Sequence, residues 1–173
     1  TARLVMQRYS TSFGLAARLL GEPVRQHVRH VYALVRVADE IVDAPRTGEG
    51  SDVRRTLLDD LEAETLAATR TGRSANLVVH AFARTARACD IGTELITPFF
   101  ASMRTDLDVV EHDQASLDAY VYGSAEVVGL MCLRAFLADE PDRDVRYAAM
   151  APGAWSPGIR LTFCTSCSTA QPP

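Results

Sequence analysis

Four side chains that could bind a metal–phosphate group lie on one stripe of a predicted helix, within VYALVRVADEIVDAP (residues 31–45). The stripe consists of Tyr32, Arg36, Asp39 and Asp43. Their spacing of four, three and four residues keeps them within about 60° of one another, at roughly 100° per residue. Two carboxylates one turn apart can bind a hard cation, and Mg²⁺ commonly uses one or two carboxylates together with substrate phosphates. The forked guanidinium of Arg36 suits a phosphate group.

The same spacing fits a simpler interpretation, in which Arg36 pairs with Asp39 or Glu40 and the stripe faces water. Such pairs on helices are common and contribute only tenths of a kcal/mol. The rest of this helix is apolar, whereas a solvated helix normally has a wider polar face. The spacing alone leaves both interpretations open.

The length and composition indicate one globular domain. The chain has 173 residues, of which 47% are hydrophobic and 23% are charged, enough for a sizeable core. The net charge of -4 argues against nucleic acid as the main partner. No secretory signal is apparent, and the apolar run at 127–138 is too short to span a membrane and contains Arg134. The first residue is Thr1 rather than methionine, which we interpret as a sign of a fragment.

Apolar residues recur at intervals of three and four, and period-two alternation is absent, so the sequence predicts an all-α protein. The predicted helices lie within residues 1–20 and at about 23–44, 51–70, 75–89, 93–110 and 116–137. Pro23 suits the first turn of its helix, and Ser116 is the predicted N-cap of the last one. Pro98 either kinks its helix or begins it with Thr97 as the cap.

One predicted helix, about 51–70, has an apolar stripe that we expect to be buried. Its members are Val53, Leu57, Leu61 and Ala68. The opposite side contains Arg54, Arg55, Asp59, Asp60 and Glu62 and is predicted to be a solvated face.

The four cysteines fall into two groups. Cys89 and Cys132 lie in apolar helical stretches and are predicted to be core residues. Cys164 and Cys167 form a lone CxxC, which could be half of a zinc site or a redox pair. No second CxxC and no βαβ pattern accompany it, so we assign it neither role.

Four segments together resemble a known family. They are YSTSFGLAARLL (9–20), VYALVRVADEIVD (31–43), MRTDL (103–107) and YVYGSAEVVGLM (120–131). Their order and separations resemble those of the phytoene and squalene synthases, the head-to-head prenyl diphosphate synthases. The resemblance covers about residues 3–154.

The resemblance implies an all-α, isoprenoid synthase-type helical bundle around a deep pocket. Members of the family bind two farnesyl or geranylgeranyl diphosphates through Mg²⁺. They join the two chains through a cyclopropyl intermediate and form a C30 or C40 hydrocarbon with loss of diphosphate. Two alternatives are a class I terpene cyclase, which uses a similar carboxylate helix, and a non-enzymatic helical protein that binds a ligand.

The resemblance also implies roles for individual residues. Asp39 and Asp43 match the Mg²⁺ ligands and, with Tyr122, are the catalytic candidates. The substrate-binding candidates are Ser10, Thr11, Ser12, Tyr32, Arg36, Tyr120 and Glu126. Glu126 stands where the family has glycine. The alternative for the serine and threonine residues is helix capping, and for the tyrosine segment it is plain helix packing.

The chain departs from the family after about residue 154. The resemblance implies a second aspartate-rich segment, QxxNxxRDxxxD, but residues 155–173 contain no Asp, Asn or Glu. We therefore expect an incomplete bundle over 1–154, a non-native or disordered tail over 155–173, and a broken frame or a truncation near Trp155. The 173-residue chain alone is expected to be inactive and poorly stable.

The expected cofactor is Mg²⁺, with NADPH in addition if the product is of the squalene type. The expected partners are prenyl diphosphates and, peripherally, a membrane surface, in a cytoplasmic protein that does not bind nucleic acid. The sequence does not determine the oligomeric state or the choice between C15 and C20 substrates.

Overall fold

The structure is a computed structural model that describes residues 19–43, 51–108 and 114–151. Within these ranges the regular structure is entirely helical, which confirms the predicted all-α class. The helices are α1 (Val24–Val42), α2 (Ser51–Thr71), α3 (Leu77–Cys89), α4 (Thr93–Asp108), α5 (Gln114–Val121), α6 (Val127–Phe136) and α7 (Arg143–Met150). A π-helical segment, Tyr122–Glu126, joins α5 to α6.

Helix α1 is packed against four other helices of the described bundle. It follows Pro23 directly, as predicted, and packs against α2, α3, α4 and α6. Its buried residues recur at helical spacing: Val28, Val31, Ala33, Leu34 and Ala38. Being surrounded on several sides explains why most of its circumference is apolar and why few of its polar residues face open water.

Helix α2 buries only part of the predicted stripe: Leu61 and Ala68 are buried, as predicted, but Val53 and Leu57 are not. Val53 and Leu57 are each 46% exposed, whereas Arg54 is only 7% exposed. The buried face consists of Arg54, Leu58, Leu61, Thr65 and Ala68. The guanidinium of Arg54 reaches the last carbonyl of α1, donating from Nη1 to the Val42 oxygen at 3.0 Å. A cation at that position satisfies a carbonyl group that the helix itself leaves free, and this contact favours burial of Arg54.

A second contact of α2 also departs from the predicted solvated face. Arg104 of α4 donates to Asp59 at 2.7 Å and to Glu62 at 2.5 Å. The Glu62 side chain is only 14% exposed. These ion pairs join α2 to α4 and explain why acidic residues occur on this side of α2.

The ends of α3 are set by local polar groups. The Asn76 side chain accepts hydrogen bonds from the backbone N–H groups of Val78 and Val79, as an N-cap does. Asp90 ends the helix in the left-handed conformation, with φ 57°, which aspartate tolerates better than most residues. The observed helix agrees with the predicted 75–89 to within two residues.

The predicted helix at 93–110 is a single element in which Pro98 lies inside α4 rather than at its start. The predicted helix at 116–137 is wrong in two respects. It begins at Gln114, so Ser116 is not its N-cap, and the π-helical segment interrupts it. In that segment the N–H of Val127 donates to the carbonyl of Tyr122, five residues back.

Gly123 explains how closely the π-helical segment can approach α4. A Cβ at this position would overlap the hydroxyl of Ser102 and the carbonyl oxygen of Pro98. The close approach at Gly123 is therefore made by a neighbouring helix, as the helix-packing alternative for this segment expects.

Helix α7 was not predicted. It packs on α6, where the Arg134 guanidinium stacks on the Tyr147 ring at 3.7 Å and pairs with Asp144 at 2.8 Å. Both cysteines of the described part, Cys89 and Cys132, are buried free thiols, as predicted. Burial raises the pKa of Cys89 to about 11. No helix in the described ranges is long and apolar enough to cross a membrane.

Candidate functional site

Arg36 pairs with two carboxylates at the C-terminal end of α1. Its Nη1 donates to Oδ2 of Asp39 at 3.1 Å, and its Nη2 donates to Oε1 of Glu40 at 2.6 Å. The pairing that the simpler interpretation expected is therefore present. The stripe does not face open water, however, because the side chains of Arg36 and Asp39 are only 17% and 15% exposed.

Burial is the main influence on the Asp39 carboxyl and raises its pKa to about 6. Arg36 acts in the opposite direction, and the charges of Asp43 and Asp106 raise the pKa further. A carboxyl group whose ionised form is disfavoured by burial and by neighbouring acids is stabilised when a cation approaches it. Perturbed groups of this kind are typical of functional sites.

The other two members of the stripe lie one turn from this pair. Asp43 is exposed and ends α1, with its backbone N–H donating to the Asp39 carbonyl at 2.8 Å. Tyr32 is half-buried and interacts electrostatically with Arg36. The stripe therefore runs from a half-buried phenol to an exposed carboxylate.

Asp106 is a site residue to which the sequence analysis gave no role. It lies in MRTDL, on α4, and its charge acts on Asp39 across the contact between α1 and α4. The hydroxyl of Tyr120 donates to Oδ2 of Asp106 at 3.2 Å. The presence of the MRTDL segment was the only signal in the sequence that pointed to this residue.

The predicted residues of the YVYG segment are placed differently from one another. Tyr120 is half-buried and is linked through Asp106 to the acidic end of α1. Tyr122 is 41% exposed and interacts electrostatically with Tyr147 of α7. Glu126 is half-buried and ends the π-helical segment. The catalytic role of Tyr122 and the substrate-binding role of Glu126 stay predictions.

The donor set at the acidic end of α1 fits a hard divalent cation. Its carboxyl groups offer oxygen only, and Asp39 is desolvated beside two further acids. In the described part of the chain, no group of three or more His, Cys, Asp or Glu side chains converges to hold a metal ion by itself. Asp39 and Asp43 would therefore share a bound Mg²⁺ with oxygens from water or a phosphate.

Several predicted residues lie outside the described ranges. They are Ser10, Thr11, Ser12, Cys164 and Cys167. A cleft of about 410 Å³ is lined by residues 138–145, in the turn before α7 and the first residues of α7, and none of the predicted site residues lines it.

A second polar cluster lies nearer the N-terminal end of α1, where His27 and His30 meet Thr85 of α3. The Nδ1 atoms of the two rings lie 3.0 Å and 2.8 Å from the Thr85 hydroxyl oxygen. A hydroxyl group donates only one hydrogen bond but can accept two, so at least one of the rings donates to it and at most one accepts from it. Two neutral imidazoles satisfy this arrangement.

Burial lowers the pKa of both rings. For His30 the pKa falls to about 4, with the neighbouring His27 and Arg84 adding to the effect of burial. For His27 the charges of Asp139 and Glu22 oppose the effect of burial, but the net direction is still downward. The geometry and the lowered pKa values of His27 and His30 indicate a structural role.

Comparison with known proteins agrees with the resemblance found in the sequence. Residues 6–155 match the model of the squalene/phytoene synthase family. The chain is 26% identical over 145 residues to the 4,4'-diapophytoene synthase of Staphylococcus haemolyticus (strain JCSC1435). This match covers 83% of the chain and 50% of the relative, so the chain spans about half the length of that enzyme. No solved structure matches the chain.

The family match includes the helices that carry the acidic end of α1, Asp106 and the YVYG segment. The chain belongs to the squalene/phytoene synthase family and has its all-α, isoprenoid synthase-type fold.

Proposed function

We propose that the C-terminal end of α1 binds the diphosphate group of a prenyl diphosphate together with Mg²⁺. The reaction that this binding would serve is the head-to-head joining of two such substrates, farnesyl or geranylgeranyl, to a C30 or C40 hydrocarbon. The relative from Staphylococcus haemolyticus is named a 4,4'-diapophytoene synthase, which supports this class of product. The proposal contains no reductive step.

One observation carries the proposal: the Asp39 carboxyl is buried enough for its pKa to rise to about 6, yet it sits beside other acids. A buried carboxyl in a purely structural role is expected to have its charge fully compensated by its partners. Here the guanidinium of Arg36, which pairs with it, also serves Glu40. An incoming cation would stabilise the ionised form of Asp39, and Asp43 lies one turn away to bind the same cation.

The chain's own residues have separate tasks in this proposal. Arg36 would turn its donors from the two carboxylates toward phosphate oxygens when the cation takes its place beside Asp39. Tyr32, one turn earlier, would orient the diphosphate through its hydroxyl. Mg²⁺, when bound, would neutralise the charge that develops on the departing diphosphate. The apolar remainder of α1 would help to keep water from the prenyl chain.

The test is direct binding of a non-hydrolysable geranylgeranyl diphosphate analogue to the 173-residue chain, by calorimetry with and without Mg²⁺. We expect binding that requires Mg²⁺ and that falls at least 100-fold in the double variant Asp39→Asn with Asp43→Asn. The matched control is Asp52→Asn with Asp60→Asn, which neutralises two exposed carboxylates of α2 and should change affinity less than threefold.

Binding that is absent, or that is the same in the double variant as in the unaltered chain, would favour a non-enzymatic helical protein instead. A separate assay addresses activity, because the chain is expected to form no hydrocarbon alone. Hydrocarbon formation from geranylgeranyl diphosphate by the purified chain would contradict that expectation and leave the binding proposal intact.

A further inference from the structure

Tyr120 is held at both ends by residues one turn apart on α4. Its hydroxyl donates to Asp106 at 3.2 Å, and its carbonyl oxygen accepts from the hydroxyl of Ser102 at 3.3 Å. Ser102 is almost fully buried. Because residues four apart lie on the same side of a helix, Ser102 and Asp106 present one face of α4 to Tyr120.

The attachment lies at the point where the helix changes its winding. Tyr120 comes two residues before the π-helical segment, and its carbonyl oxygen also accepts from the hydroxyl of Ser124 at 2.8 Å. Gly123 then lies so close to α4 that no Cβ fits between them. A π-helical turn is locally less favourable than an α-helical one and is found mostly at functional sites. The contacts to α4 are what hold this one.

Asp106 also belongs to the helix that packs directly on α1, and its charge is one of those felt by Asp39. One side chain therefore links two parts of the candidate site. On one side is the acidic end of α1, and on the other is the segment that carries Tyr122.

We infer that Asp106 is a positioning residue, which holds Tyr120 and so fixes the π-helical segment against α4, the helix that also packs on α1 and places Asp106 near Asp39. The inference rests on the proposed function. Asp106 acts through the hydrogen bond from Tyr120, so what matters is an oxygen acceptor at this position. It does not require Asp106 to touch the substrate or the cation.

The test compares Asp106→Ala, Asp106→Asn and Tyr120→Phe in the full chain, using Mg²⁺-dependent binding of the geranylgeranyl diphosphate analogue. We expect Asp106→Ala and Tyr120→Phe each to weaken binding about tenfold. Asp106→Asn keeps an oxygen that accepts from the Tyr120 hydroxyl and should weaken binding less than threefold. The double variant of Asp106→Ala with Tyr120→Phe should bind no more weakly than the worse single variant, because both remove the same hydrogen bond.

A structural role alone would lower the melting temperature without this pattern in affinity, so each variant is also melted. The charge control is Asp60→Asn, on an exposed position of α2, which should bind like the unaltered chain.

The inference is overturned if the single variants bind normally, if their effects add in the double variant, or if Asp106→Asn is as weak as Asp106→Ala. That last result would mean that the charge of Asp106 matters and its hydrogen bond does not. If the unaltered chain binds no analogue, the proposed function has failed and the inference fails with it. Normal binding in the unaltered chain and in every variant overturns the inference alone.

Discussion

Helix α1 contains two partly buried polar clusters, one made of hydrogen-bonded histidines and the other of charged side chains. Near its N-terminal end, His27 and His30 share the hydroxyl of Thr85 and are held neutral. At its C-terminal end, Arg36 serves two carboxylates, and Asp39 lies near two further acids. In the first cluster, the neutral hydroxyl of Thr85 satisfies the Nδ1 atoms of both rings. The second retains charged groups in a place where they are costly.

The difference helps to separate structural from functional polar groups on one helix. A buried polar group that is satisfied by its neighbours needs no ligand to explain it. A buried carboxyl group whose pKa lies near 6 beside other acids is better explained by a partner that arrives later. The acidic end is therefore the candidate site, and the histidine end is the reference against which it can be tested.

The largest effect on the free energy of unfolding should come from removing the guanidinium of Arg36 at the acidic end of α1. Arg36→Met leaves Asp39 buried beside Asp43 and Asp106, and we expect a loss of about 2 kcal/mol in the free energy of unfolding at pH 8 without Mg²⁺. The loss should shrink at pH 5, where Asp39 takes up a proton. Urea denaturation at the two pH values measures both quantities.

Arg29→Met is the matched control, since Arg29 lies two turns earlier on the same helix. Its partner Glu22 is 3.8 Å away and 54% exposed, so the loss should stay below about 1 kcal/mol. Equal losses in the two variants would mean that the acidic end is no more strained than the other end.

Thr85→Val tests whether the histidine end is purely structural. The substitution removes the shared hydroxyl and leaves two ring nitrogens without their partner, which should cost about 1 kcal/mol because both rings are only half-buried. Thr105→Val in α4 is the control, because its hydroxyl donates only to the carbonyl of Ala101 in its own helix. Binding of the prenyl diphosphate analogue should change less than threefold in either variant. A large loss of binding in Thr85→Val would mean that the histidine end of α1 also takes part in binding.

The two clusters should also respond to acid with opposite signs. The pKa of the histidines is lower in the folded chain than the ordinary 6.5, so the unfolded chain binds more protons and stability falls as pH drops from 6.5 toward 4. The pKa of Asp39 is higher in the folded chain, at about 6 against 3.8, so the folded chain binds more protons and stability rises as pH drops from 6 to 4.

Variants can separate the contribution of the histidines from that of Asp39 to the pH dependence of stability. Each contribution should be about 1–2 kcal/mol, because the groups are partly solvated. Asp39→Asn should make stability fall more steeply as the pH decreases. The double variant of His27→Gln with His30→Gln should flatten or reverse it. Thermal melts from pH 7 to 4 provide the measurement, and a change of slope in the same direction for both variants would refute the opposed signs.

The smallest effect is expected from Glu40→Gln. Glu40 accepts from Arg36 at 2.6 Å, but its side chain is 51% exposed, so the pair should contribute only about 0.3–0.5 kcal/mol. The difference from the unaltered chain should vanish in 0.5 M salt. A loss comparable to that of Arg36→Met would show that Glu40 is as important to the acidic end as Asp39.

Much of the fold was predictable, because helices follow from local patterns. The positions of α1, α3 and α4 agree with the sequence analysis to within a few residues. The rotation of α2 was not predictable, since an apolar stripe through Val53 and Leu57 looks as suitable for burial as one through Leu58. Arg54 reaches the end of α1, and that contact exists only after the two helices have met.

The candidate site likewise has features that the sequence predicts and features that depend on tertiary contacts. The sequence by itself determined that Tyr32, Arg36, Asp39 and Asp43 share a stripe, because the helical period places them there whatever surrounds the helix. The burial that raises the pKa of Asp39 was decided by the packing of neighbouring helices. So were the approach of Asp106 and the π-helical turn after Tyr120. These depend on contacts between residues far apart in the chain, and a local pattern contains no information about such distances.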